Sequence, residues 1–187
     1  MNRSFFIILV AIFLSVNLFA NEKKKASKLD SCILIVGPKF HGTLYQENYL
    51  FDLSPDNSKR FLVKPQYYLK PLIEDSIISW TPKLADIYEF ESNLAEILKN
   101  YTAEEEYENY HLPEIREKIE NYRRQYIGFK DKNSHKHLWV KFYIDDKKIT
   151  KPDKNIALIL GGGSSVFLLV VDLEAKEVEY FSVNGPI

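Results

Sequence analysis

Apolar and polar positions along this chain change period several times, and each change predicts an element. The first apolar run, Phe5 to Val16, follows Arg3 and passes through Ala20 into a lysine-rich stretch. A basic start, an apolar centre and a small residue ahead of polar sequence are the three parts of a secretory signal peptide, in order. The run is shorter than the roughly 20 residues a bilayer-spanning helix needs, and Asn17 interrupts its end. Residues 1–20 are therefore expected to be a signal peptide, with no stable membrane span after its cleavage. Leu18 is large for a position three residues before a cut after Ala20, so the span is better defined than the cut.

Residues 21–31 carry Lys23, Lys24, Lys25 and Lys28 without periodic apolar positions, a solvated lead-in to a single domain over 32–187. Cys32-Ile-Leu-Ile-Val36, stopped by Gly37-Pro38, is the pattern of a buried strand. Between Lys39 and Trp80, prolines at 55, 65 and 71 break up short aromatic-rich pieces at 43–53 and 60–63, so short strands and loops are expected.

A helical period then takes over. Thr81 suits an N-cap and Pro82 a first helical position, and Leu84, Ile87, Glu91, Leu94 and Leu98 trace a stripe widened by Phe90 and Ile97; this predicts a helix over 82–99. The acidic segment Glu104 to Glu108 lies in or before the connection to a second helix. That helix is expected over Pro113 to Ile127, from Ile115, Ile119, Tyr122 and Tyr126, with Gly128 as its C-cap.

From there the period is two. His137, Trp139, Lys141 and Tyr143 alternate with Leu138, Val140, Phe142 and Ile144, which predicts a strand with helices on its aliphatic side. The other side is an exposed aromatic patch unless N-terminal strands cover it, and coverage is the favoured expectation. Residues 155–160, 165–171 and 176–183 read as three further antiparallel strands, the last entered by a turn at Glu174-Ala175. The fold class expected is α+β: two helices packed on a C-terminal antiparallel meander, behind an irregular, strand-containing N-terminal region.

Composition narrows the function classes. Without Arg3 the chain has 24 basic and 26 acidic residues, and no basic excess points to nucleic acid. A hydrophobic content of 45% with 14% aromatics predicts a folded chain. One cysteine allows no internal disulfide. Cys32 opens an apolar run, which reads as a buried thiol with a raised pKa rather than a nucleophile. Leu29-Asp-Ser31 and the lysines before it do not lead into it as a lipidation site would, and an intermolecular bond is its alternative.

Candidate chemistry is sparse. Gly161-Gly-Gly-Ser-Ser165 has the composition of a phosphate loop, but an apolar strand follows it instead of a helix and no lysine follows, so a turn or bulge needing positive φ is expected. His135 and His137, two apart, would share a strand face as metal ligands do, but His41, His111 and Asp131 do not obviously complete a set; no metal, no cofactor and no catalytic residue is assigned. Asp145-Asp146, flanked by Lys147 and Lys148, reads as a charged turn. In Tyr122-Arg-Arg-Gln-Tyr126, two arginines flanked by tyrosines could grip a carboxylate or phosphate, or could pair with Glu117, Glu120 or nearby carbonyls. The candidate ligand-binding residues are Arg124 and Tyr126 here, with Trp139 and Tyr143 on the alternating strand.

Tyr122-Arg-Arg-Gln-Tyr-Ile-Gly128, the Gly161 to Phe167 turn, Val171-Asp172-Leu173 and Val183-Asn-Gly185 together resemble a group of small exported bacterial proteins of unassigned function, over about residues 80–187. Gly161 stands where that group would have an aspartate. The resemblance implies export and a helix-on-sheet fold, and carries no catalytic residues. The expected role is a non-enzymatic binding or interaction domain of the cell envelope, periplasmic or extracellular, with a cystatin-like or nuclear-transport-factor-like architecture. Its partner would be another envelope protein or a small ligand. The alternative is a small hydrolase or small-molecule-binding protein with its site between helices and sheet, using His135, His137, Arg124 and Asp131.

Overall fold

The computed structural model describes residues 28–29, 32–52, 62–63, 69, 77–144, 153–157, 159 and 161–185. The signal peptide, most of the lysine-rich lead-in and the Asp145-Asp146 turn lie outside these residues. The fold is α+β, with two α-helices and a mostly antiparallel sheet among the described residues. The strands are β1 (Lys28–Leu29), β2 (Cys32–Val36), β3 (His41–Tyr45), β4 (Phe51–Asp52), β5 (Leu62–Val63) and β6 (Ile78–Ser79). After the helices α1 (Leu84–Asn100) and α2 (Glu106–Lys118) come β7 (Tyr122–Lys130), β8 (Lys136–Ile144), β9 (Val166–Asp172) and β10 (Glu177–Val183). The main sheet has the order β1-β2-β3-β7-β8-β9-β10, with β6 against the end of β7; β4 and β5 form a separate pair.

The strand at Cys32–Val36 and the closing meander form as expected. β3 and β7 add a feature the pattern did not announce: they run parallel, His41 to Tyr45 against Arg123 to Ile127, so the two helices belong to the crossover between them.

The second helix is corrected. It ends at Lys118, passes through a 3₁₀ turn at Ile119–Asn121, and Tyr122 to Lys130 is a strand buried along almost its whole length. Tyr122 and Tyr126, four apart, satisfy a helical stripe and a strand face equally. Burial on both faces removes the wet and dry alternation that would have told the two apart. Gly128 is accordingly no helix cap. It lies in β7 where Trp80 to Pro82 crosses, and a Cβ there would stand 2.3 Å from Pro82 Cδ. The first helix starts at Leu84, with Asp86 accepting from the Lys83 backbone N–H at 2.7 Å; Thr81 instead uses its hydroxyl to accept from the Glu47 N–H at 3.0 Å. No strand forms within 153–157; this segment lies over the sheet as irregular chain.

The sheet separates two cores. On one face Ile87, Phe90, Leu94 and Leu98 of α1 and Leu112 and Ile115 of α2 pack on Tyr122, Tyr126, Leu138, Val140, Phe142, Phe167 and Leu169. Phe142 and Phe167 stack there at 4.3 Å. On the other face Tyr49, Phe51, Leu69 and Ile156 pack over Tyr45, Ile127, Phe129, Trp139 and Val170 of the sheet. The aliphatic side of β8 meets the helices as expected, and its aromatic side is covered.

Candidate functional site

The four candidate binding residues divide between these two cores. Arg124 and Tyr126 face the helices, Trp139 and Tyr143 the opposite layer, and all four are buried. They form no common pocket, because alternate residues of a strand point to opposite faces and β7 and β8 are paired along their length.

Arg124 is closed on every side. Its Nε lies 3.2 Å from Glu91 Oε1, its Nη2 donates to the Ile119 carbonyl at 2.9 Å, and its Nη1 donates to the Tyr122 carbonyl. The guanidinium also sits over the Phe40 and Phe142 rings. Tyr126 donates to the same Glu91 oxygen at 2.8 Å. Burial pushes the Glu91 carboxyl above its ordinary range, and Arg124 and the Tyr126 hydroxyl pull it partly back. Burial, with the Glu91 charge adding to it, holds the Tyr126 hydroxyl well above its usual value. The partner of Arg124 is thus Glu91 from α1, not Glu117 or Glu120. Glu91 carried a sequence signal: it is the one charged position on the apolar stripe of that helix.

The opposite face carries a second network. Arg123 Nη2 is 2.9 Å from Asp153 Oδ1, and the Tyr143 hydroxyl donates to Asp153 Oδ2 at 2.5 Å. Thr43 Oγ1 accepts from the Asp153 N–H at 3.1 Å. Gln125 donates to the Tyr45 hydroxyl and the Asn155 carbonyl, and its own oxygen accepts from the Ala157 N–H at 2.8 Å. Tyr49 donates to the Lys154 carbonyl at 2.5 Å. These groups bind the 153–157 segment to the sheet. Lys141 lies on the same face, and burial lowers its pKa.

The other candidates are dispersed as well. Arg124 pairs with Phe142 and His137 with Phe129, five residues further along β7, which is about 17 Å at strand spacing. His135 is half-exposed in the loop beside Asp131, at 3.7 Å. Cys32 is buried at the start of β2. Gly161, Gly162 and Gly163 all have positive φ, at 69°, 100° and 51°, and the 3₁₀ turn Gly163–Ser165 leads into β9. Ser164 Oγ donates to Glu114 Oε2 at 2.5 Å, so a carboxylate stands where a phosphate would need a cation. Asn184 of the closing Val-Asn-Gly donates to the Ile159 and Gly161 carbonyls and pins the loop.

Open space lies elsewhere, at the junction of α1 with the β9–β10 turn. A cleft of about 160 Å³ is lined by Asp86, Glu89, Phe90, Asn93, Ile97, Lys136, Val171, Leu173, Glu174 and Lys176. A shallower groove of about 620 Å³ continues it past Tyr101 and Val178, sharing Asn93, Ile97 and Lys176. Lys176 stands where the two meet, 3.3 Å from Glu89 across the gap. Its φ is +59°, the left-handed region. Sequence reasoning missed this site because only the fold brings α1 against the Leu173 to Lys176 turn.

No protein-family model, curated protein or solved structure matches the chain. No helix among the described residues is long and apolar enough to cross a membrane.

Proposed function

We propose that this chain is an exported, non-enzymatic binding domain of the cell envelope and that the cleft between α1 and the β9–β10 turn is its binding site. Export is supported by Arg3, the Phe5 to Val16 run and Ala20. Mass spectrometry of protein recovered from outside the cytoplasm should find an N-terminus near Asn21; recovery of the uncleaved chain in the cytoplasm would overturn export.

One observation carries the binding site: Lys176 occupies a left-handed backbone position that glycine or asparagine adopts at lower cost, and it places its ammonium at the junction of cleft and groove. With Lys176 and Lys136 set against Asp86, Glu89 and Glu174 around an apolar floor of Phe90, Ile97 and Leu173, the site suits a ligand with both charges and an apolar body, such as a short peptide with free ends. Arg124, Tyr126 and Tyr143, by contrast, are buried against internal partners, whereas the Lys176–Glu89 pair is exposed to solvent.

The test uses Lys176→Gly. Relief of the left-handed lysine should raise stability by roughly 0.5–1 kcal/mol, offset by loss of the exposed Glu89 pair. Binding of short peptides with free ends, followed by amide shifts at Asn93, Ile97 and Leu173, should be lost. Unchanged binding in the variant, or shifts that map away from the cleft, would overturn the assignment.

A further inference from the structure

At one end of the loop-covered sheet face, three side chains converge without a shared hydrogen bond. Register sets His137 of β8 opposite Asp172 of β9. β10 slips by one residue between Val178 and Tyr180, and the extra residue is Glu179. A bulge of this kind re-aims a side chain, and here it brings Glu179 Oε2 to 2.9 Å from His137 Nδ1. One ligand atom from each of His137, Asp172 and Glu179 lies within 4.8 Å of the other two.

The imidazole is the decisive element. Its side chain is 4% exposed and stacks on Phe129 at 4.9 Å. The Glu179 contact is a close approach rather than a hydrogen bond, and neither ring nitrogen has a hydrogen-bond partner among the described residues. Buried polar atoms are almost always satisfied, and a buried imidazole facing two carboxylates has the complement a cation would supply. Asp172 is already oriented: its Oδ1 accepts from the Glu174 and Ala175 N–H groups at 2.7 and 2.9 Å, the kind of outer hydrogen bonding that fixes a ligating carboxylate.

We infer that His137, Asp172 and Glu179 form a binding site for a divalent transition-metal cation. One imidazole nitrogen with two carboxylate oxygens suits zinc or its first-row neighbours, where an all-oxygen set would suit calcium or magnesium. Three protein ligands leave at least one coordination position for water or for an atom of a bound ligand. The site uses the opposite face of the sheet from the cleft and does not depend on it.

The test is calorimetric titration of the chelator-treated protein with Zn²⁺ and Ca²⁺, with Co²⁺ absorption as a report on coordination. One equivalent of Zn²⁺ should bind with a micromolar or tighter Kd, Ca²⁺ far more weakly, and Co²⁺ should show ligand-field bands. Glu179 is half-exposed on an edge strand, so Glu179→Gln should keep the thermal melt while weakening Zn²⁺ at least about tenfold; His137→Ala should abolish binding. Absence of Zn²⁺ binding, binding indifferent to Glu179→Gln, or binding lost in His135→Ala but kept in His137→Ala would overturn the site.

Discussion

The two faces of the central sheet solve the same burial problem with different chemistry, and the adjacent residues Arg123 and Arg124 show how. Arg124 points to the helices and meets Glu91; Arg123 points away and meets Asp153 of an irregular segment. A helix satisfies its own backbone polar groups except at its ends, so α1 and α2 present an apolar stripe with one ion pair within it. Side chains of other elements serve the ends: Arg116 donates to the Leu98 and Tyr101 carbonyls and Arg124 to the Ile119 carbonyl. Irregular chain cannot satisfy itself in this way. The 153–157 segment brings unpaired N–H and C=O groups onto the sheet, and Thr43, Gln125, Tyr45 and Tyr49 supply their partners. Each face therefore holds one buried or half-buried charge pair, but on the helix face side-chain to backbone hydrogen bonds serve helix ends and turns, whereas on the other they run along the covering segment itself.

The largest test of this contrast breaks the charge pair. Glu91→Ala leaves the Arg124 guanidinium buried without a carboxylate, and the expected cost is about 3–5 kcal/mol, measured by urea unfolding. Replacing the set together, Glu91→Leu, Arg124→Met and Tyr126→Phe, should recover part of that loss, because it removes the unpaired buried charge but takes the Arg124 donors from the Ile119 and Tyr122 carbonyls. A triple variant as unstable as the single one would mean that the pair holds α1 in place rather than merely cancelling its own desolvation.

On the other face the loss should be smaller and local. Gln125→Leu leaves the Ala157 N–H without its acceptor and removes a donor from the Asn155 carbonyl, at a cost of about 2 kcal/mol. Amide exchange should accelerate first at Ala157, while α1 amides keep their protection. Tyr49→Phe, which removes the hydroxyl from the Lys154 carbonyl, should cost about 1 kcal/mol with the same pattern. Uniform loss of protection across both faces would show that the covering segment is integral to the cooperative unit.

The helix-facing half was the more legible in the sequence, for the same reason. The stripe of α1 and the alternation of β8 are local periodic signals, and both elements formed where those signals lay. β7 was not legible as a strand, since burial on both faces hides its period and the Tyr122 and Tyr126 spacing fits either element. Its partner β3 lies some 80 residues earlier in a parallel pairing that no local pattern encodes. Glu91 could be noticed as a charge within an apolar stripe, but its pairing with Arg124 depends on packing. Asp153 could not, being one acid among many until the loop folds back. The cleft and the His137 cluster need Lys176 and Glu179, and both depend on a turn and a bulge that appear only once β9 and β10 pair.

The smallest expected effect is a pH dependence that asks whether the helix-facing pair repays its burial. Burial, the largest influence on Glu91, raises its folded pKa above the ordinary glutamate value despite Arg124. Between the unfolded value and the raised folded one, the native chain holds a proton that the unfolded chain has released, so this carboxyl makes stability fall as pH rises through that window. Glutamine mimics the protonated acid and cannot titrate. The stability difference between wild type and Glu91→Gln, measured by urea unfolding from pH 4 to pH 7, should therefore move in favour of the variant as pH rises. Movement the other way would mean that attraction to Arg124 outweighs burial, and the helix face would then be held by charge as firmly as the opposite face is held by hydrogen bonds.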